Sequence, residues 1–168
     1  LDWTDKFHAI ADAAAKLSVG SALIDGEIVA FKGGHPDFST LKEAISNDGE
    51  MTLFAFDLLE LDGENLAKLP QVQRKERLRP LLEGADARLQ YAEHIVGEGE
   101  KLFETMCREG YEGIVCKRAD APYAGRRTQA WLKVKCLQRQ EFVIVGWTES
   151  DKSRGFRALL LGVNEDGK

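Results

Sequence analysis

Short apolar runs scattered irregularly among helix-period segments constrain the fold of this chain most. Residues 22–31, Ala-Leu-Ile-Asp-Gly-Glu-Ile-Val-Ala-Phe, and residues 52–59 read as two strands. Residues 113–117 and 131–135 supply two shorter ones. A doubly wound sheet needs strand and helix to alternate regularly, and here they do not. The pattern therefore predicts an α+β protein.

Between the strands, Thr4 is placed to cap a helix that carries Phe7, Ile10, Ala14 and Leu17 at helical spacing and ends at Gly20. Ser39 or Thr40 is placed to cap a second helix running through Ile45. Asp62-Gly63 predicts a turn after the 52–59 strand. Pro70 suits the first position of a helix with Val72, Leu78, Leu81 and Leu82, and Gly84 suits its end. A brief strand at 89–91 precedes a helix whose buried stripe is Leu102, Phe103, Met106 and Cys107, with Gly110 beyond it. After Arg139 the texture changes. Residues 142–147 and 156–163 predict two antiparallel strands, with a domain boundary near 137–141.

No apolar run approaches the roughly 18 residues needed to span a bilayer. The three cysteines and three histidines lack metal-ligand spacing, which argues against a zinc site. The cysteines read instead as free buried thiols of a reducing, cytoplasmic compartment. The start, Leu1-Asp2-Trp3-Thr4, reads as a chain entered partway through. The formal net charge is −5, yet residues 113–140 carry seven Lys/Arg against one Asp/Glu. A basic block within an acidic chain marks either a solvated face or the seat of an anionic ligand.

That block contains the chemistry. Glu112-Gly113-Ile114-Val115-Cys116-Lys117 and Trp131-Leu132-Lys133-Val134-Lys135 place one carboxylate and three lysines on two short strands. A metal-bound triphosphate needs such a set, a hard anionic oxygen for the metal and cations for the phosphates. Lys133 and Lys135 share a strand face with Trp131 at its edge, and Gly113 permits close backbone approach. Glu112 could equally form a salt bridge to Lys117 or another neighbour. Asp25-Gly26-Glu27 puts two carboxylates inside an apolar strand, either as a functional pair or as a solvent-facing bulge. Phe54 and Phe56 share a face of the 52–59 run, and one of them could stack on a base.

In this order the motifs resemble those of covalent nucleotidyltransferases, and specifically of ATP-dependent DNA ligases. Asp25-Gly26-Glu27 resembles motif III, Phe56-Asp57-Leu58-Leu59 motif IIIa, and the 112–117 and 131–135 strings motifs IV and V. Longer strings are similar to the ligase domain of bacterial LigD-type end-joining ligases. They are Leu1-Asp2-Trp3-Thr4, Tyr91-Ala92-Glu93-His94, Lys117-Arg118-Ala119-Asp120-Ala121-Pro122-Tyr123 and Arg139-Gln140-Glu141-Phe142-Val143-Ile144.

The resemblance implies a partial adenylation (nucleotidyltransferase) domain over residues 1–138. This domain is ATP-grasp-like, with mostly antiparallel sheets and helices, and residues 139–168 begin an OB-fold. ATP with Mg²⁺ or Mn²⁺ is the implied cofactor set, and nicked or broken duplex DNA the implied partner, in a bacterial cytoplasmic enzyme. Glu27 would contact the nucleotide ribose or lie near the metal. Phe56 would stack on adenine, with Phe54 the alternative. Glu112 would hold the metal. Lys117, Lys133 and Lys135 would bind the nucleotide, the last two at the α-phosphate. In the family a lysine attacks the ATP α-phosphate, AMP passes to a DNA 5′-phosphate, and a 3′-hydroxyl displaces it.

That nucleophile belongs to a Lys-x-Asp-Gly motif, and no such motif occurs in the 168 residues. Good positioning of other groups does not replace a nucleophile. The chain alone is therefore expected not to self-adenylate and to need ligase segments on both sides. A non-catalytic nucleotide- or DNA-binding remnant and a related RNA ligase or capping enzyme are the competing readings.

Overall fold

A computed structural model describes residues 2–125, 128–136, 142–150 and 155–163. The elements in chain order are α1 (His8–Ala14), β1 (Ala22–Val29), β2 (Phe31–Lys32), β3 (His35–Pro36), α2 (Phe38–Asn47), β4 (Thr52–Leu61), β5 (Glu64–Asn65) and α3 (Gln71–Leu82). They continue with β6 (Leu89–Tyr91), α4 (Gly99–Arg108), β7 (Gly113–Lys117), β8 (Trp131–Lys135), β9 (Val143–Thr148) and β10 (Ala158–Gly162). Helices mixed with mostly antiparallel sheets bear out the α+β expectation. The chain divides into two compact units, Leu1–Lys135 and Cys136–Lys168. The boundary expected near 137–141 and the Arg139-Gln140-Glu141 string lie outside the described residues.

In the first unit β4 is the central strand. β1 and β5 pair with it antiparallel, and β6 pairs with it in parallel after the α3 crossover. The core lies between this sheet and its helices. Ala55 and Leu58 from β4 meet Leu66, Leu78 of α3, Leu89 of β6 and Ile10 of α1. Burying a side chain of this size contributes about 1.5–3 kcal/mol, so β4 and α3 dominate the apolar driving force.

Helix starts depart from expectation in an instructive way. Asp37, rather than Ser39 or Thr40, caps α2, its carboxylate accepting from the Thr40 N–H at 2.7 Å and the Thr40 O–H at 2.8 Å. Thr4 does not cap α1. It opens a 3-10 turn, and Asp2 accepts from its N–H and O–H. At α2 the aspartate outcompetes the hydroxyls, because a carboxylate makes the stronger, charge-assisted bond to an orphan N–H, whereas α1 follows Phe7 with no side-chain cap. Pro70 stands immediately before α3 rather than within it. The α4 stripe is half-buried, with no fully buried residue.

The cysteine reading is corrected. Cys116 is a free thiol but exposed on β7 rather than buried, while Cys107 and Cys136 are half-buried. In the second unit β9 and β10 pair antiparallel, as expected, with a bulge between Leu160 and Leu161. Among the described residues no helix is long and apolar enough to cross a membrane.

Candidate functional site

The β1–β4 pairing contains a register shift at Asp25/Gly26. Asp25 faces Asp57 and Gly26 faces Ala55, so Phe56 has no partner on β1. The expected bulge exists, but its extra residue belongs to β4. A bulge bends its strand and re-aims one side chain. Phe54 packs edge-on against Phe31 at 6.0 Å, while Phe56 packs edge-on against Trp131 at 5.7 Å. Gly26 is obligatory here, because a Cβ would lie 2.9 Å from the Phe54 carbonyl oxygen.

The β7–β8 hairpin supplies the rest. Lys117 is in register with Trp131, Val115 with Lys133, and Gly113 with Lys135. At one end the Lys117 ammonium lies 3.7 Å from the Phe56 ring centroid and 3.6 Å from that of Trp131. Burial in this aromatic slot pushes its pKa down to about 8, with the carboxylates of Asp57 and Asp25 pulling the other way. At the other end Glu112 forms ion pairs with Lys135 at 2.8 Å and Lys133 at 3.1 Å. These hydrogen bonds, Lys135's first, hold the Glu112 carboxyl below its usual range. Of the partners left open for Glu112, Lys117 or another neighbour, the two β8 lysines are the ones it takes. Gly113, at φ 150°, lets the strands approach, since a Cβ would fall 2.1 Å from the Val134 carbonyl oxygen.

The triad of Glu112, Lys133 and Lys135 is solvent-exposed, with side chains 54–66% accessible. Exposed pairs of this sort contribute little to stability, so the three groups are available to a ligand. Along β8 the lysines stand two and four residues from Trp131, roughly 7 and 13 Å from the aromatic end. The hairpin therefore presents an apolar slot at one end and a cation–carboxylate set at the other. Glu27 is exposed on β1, in register with Phe54. Among the described residues no group of three or more His, Cys, Asp or Glu side chains is arranged to hold a metal ion.

Behind the slot lies a network that the sequence reading missed. Asp57 and Arg74 form a fully buried bidentate pair, with Nε to Oδ1 at 2.7 Å and Nη2 to Oδ2 at 2.8 Å. Arg74 also donates to the Ala121 carbonyl at 3.2 Å and to the Leu69 carbonyl at 2.5 Å. The buried Lys75 donates to the Ala92 carbonyl at 2.6 Å. A signal was available: Gln71, Arg74, Lys75, Leu78 and Leu82 recur on one helical face, so the face that buries two leucines must bury the cations too. A cavity of about 410 Å³ in the 118–130 loop, lined by Arg118, Ala121, Pro122 and Thr128 among others, includes none of Phe56, Lys117 or Trp131.

An α+β unit whose central strand and hairpin converge on such a site has the form of a nucleotidyltransferase fold. The family described as ATP dependent DNA ligase domain matches residues 2–135, and the chain belongs to that family. It is 39% identical to the multifunctional non-homologous end joining protein LigD of Pseudomonas aeruginosa over 167 residues. That match covers 96% of this chain and 20% of the relative. It is 34% identical to a probable DNA ligase of Dictyoglomus thermophilum, covering 86% of this chain and 29% of that one. Among solved structures, mycobacterial DNA ligase D complexed with ATP and MES superposes with a TM-score of 0.70 at 32% identity. The likeness covers 98% of this chain and 52% of that one. The chain thus spans about a fifth of the length of the LigD relatives it matches.

Proposed function

We propose that this chain is the central portion of an ATP-dependent DNA ligase of the end-joining type, carrying most of the walls of its nucleotide site. The observation that carries this reading is the β7–β8 hairpin, with the Phe56–Lys117–Trp131 slot at one end and the Glu112–Lys133–Lys135 triad at the other. Phe56 stacks on the adenine and Glu27 meets the ribose. Lys133 and Lys135 leave Glu112 to neutralise phosphate oxygens, and Lys117 leaves the slot as the base enters. Two cations aimed at the α-phosphate stabilise the charge that develops there and the departing pyrophosphate.

A divalent ion, Mg²⁺ or Mn²⁺, fits Glu112, whose carboxylate is exposed and stays ionised well below neutral pH. Among the described residues no group of three or more His, Cys, Asp or Glu stands ready to join it, so phosphate oxygens and water would complete its shell. When bound, such an ion adds Lewis-acid stabilisation of the phosphate charge. The basic 113–140 segment suits a DNA backbone. Of its arginines, Arg118 is exposed and paired with Asp120 at 3.0 Å, while Arg126, Arg127 and Arg139 lie outside the described residues. The second unit is the first hairpin of an OB-fold, and the protein acts in a bacterial cytoplasm.

Incubation with α-labelled ATP and Mg²⁺ tests the proposal. The chain should bind ATP saturably and reversibly and form no covalent lysyl-AMP, because it contains no Lys-x-Asp-Gly. A stable adenylate band would overturn the assignment of the nucleophile. Absence of ATP binding would overturn the nucleotide reading itself.

A further inference from the structure

Tyr123 and Asp25 stand 98 residues apart in sequence, yet the phenol O–H donates to Asp25 Oδ2 at 2.9 Å. That donation raises the phenol's pKa above its ordinary value. Asp25 is one of the two residues flanking the register shift that leaves Phe56 without a partner on β1. The Tyr123 ring, in turn, packs edge-on against Trp131 at 5.9 Å with an interplanar angle of 82°. One side chain therefore meets the Trp131 wall directly and, through Asp25, the strand pairing beside Phe56.

Tyr123 is itself held rigidly. Its backbone N–H donates to the Ala67 carbonyl at 2.8 Å, and the Arg74 guanidinium lies 5.9 Å from its ring centroid. The segment leading to it is tied down by the Val72 N–H on the Ala119 carbonyl at 3.1 Å and by Arg74 on the Ala121 carbonyl. A phenol whose main chain and ring are both anchored has little freedom left. Its hydrogen bond to a carboxylate then transmits position rather than merely filling space.

We infer that Tyr123 is a positioning residue that fixes the spacing of the Phe56 and Trp131 walls through its bond to Asp25, and so sets the affinity for the nucleobase. The inference rests on the nucleotide reading above. Tyr123→Phe removes only the hydroxyl. In the full chain it should weaken adenosine and AMP by about tenfold each, leaving their ratio unchanged because the phosphate end is untouched. The thermal midpoint should move by less than about 4 °C. Asp25→Ala should weaken both ligands, and the double variant should be no weaker than the weaker single one, as two groups acting through one contact require.

A ligand-free readout separates the two claims. Lys117 is faced by Asp25, Asp57, Lys75 and Arg74 and buried by the two rings. Tyr123→Phe should loosen the Trp131 wall, rehydrate the ammonium and raise the pH midpoint of Lys117 amine labelling. If wild type binds neither adenosine nor AMP, the nucleotide reading fails, and the labelling midpoint alone decides the role of Tyr123. Binding within twofold of wild type in Tyr123→Phe, or an unmoved midpoint, overturns the inference.

Discussion

The Lys117 ammonium lies 3.7 Å from the centroid of the Phe56 ring, over one face of that ring. A cation and a base cannot share one ring face, so a base that enters there must displace Lys117. The same burial sets the titration of this lysine. Amine-reactive labelling followed by peptide mapping should show Lys117 becoming reactive through about pH 8, well below the ordinary lysine value of 10.5. Bound nucleotide should change that profile.

The sign of the stability effect follows from the same depressed pKa. Between about pH 8 and 10.5 the unfolded chain holds a proton on this lysine that the folded chain has lost. Stability contributed by Lys117 therefore rises with pH across that window, and below it the buried ammonium opposes folding. Urea titrations at pH 7 and 9.5, with Lys117→Met as reference, should show wild type gaining relative to the variant at the higher pH.

Phe54 and Phe56 should separate cleanly. Stacking on a base contributes about 1–3 kcal/mol. Phe56→Ala should accordingly weaken AMP binding by at least about fivefold in calorimetric titration. Phe54→Ala, which removes a contact with Phe31, should cost stability and leave the AMP constant near wild type.

The Asp57–Arg74 pair makes a prediction about folding. Removing one partner of a buried ion pair costs about 3–5 kcal/mol, because the other charge is left without compensation. Asp57→Asn should lower the denaturation midpoint sharply. Asp57→Leu combined with Arg74→Met should recover much of the loss, which circular dichroism melts of both variants would show.

Much of the fold could be read from the sequence. The strand runs at 22–31, 52–59, 113–117 and 131–135 and the helix from Pro70 all stand near where the patterning put them. The motif residues of β7 and β8 come together as expected, because a two-stranded hairpin fixes register locally. What escaped is non-local. Which strand takes the bulge's extra residue, and so leaves Phe56 unpaired on β1, depends on pairing between strands remote in sequence. Which of the open partners Glu112 takes, Lys133 and Lys135 rather than Lys117, depends on side-chain direction at the hairpin end. The Tyr123–Asp25 bond joins residues that no period connects. The α2 cap differs for a simpler reason: Asp37 stands at the helix start and its carboxylate accepts the Thr40 N–H.

The central claim is that the slot and the triad together form one adenine nucleotide site. Titrating ATP and Mg²⁺ into the isotopically labelled chain, while following the Trp131 indole N–H and the Lys117 side chain by NMR, tests it most directly. Saturable shifts at both residues, moved to at least about fivefold higher ligand concentration by Phe56→Ala and weakened by Lys133→Ala with Lys135→Ala, are the predicted result. ATP that leaves Trp131 and Lys117 unperturbed, or that binds equally well without Phe56, would contradict it.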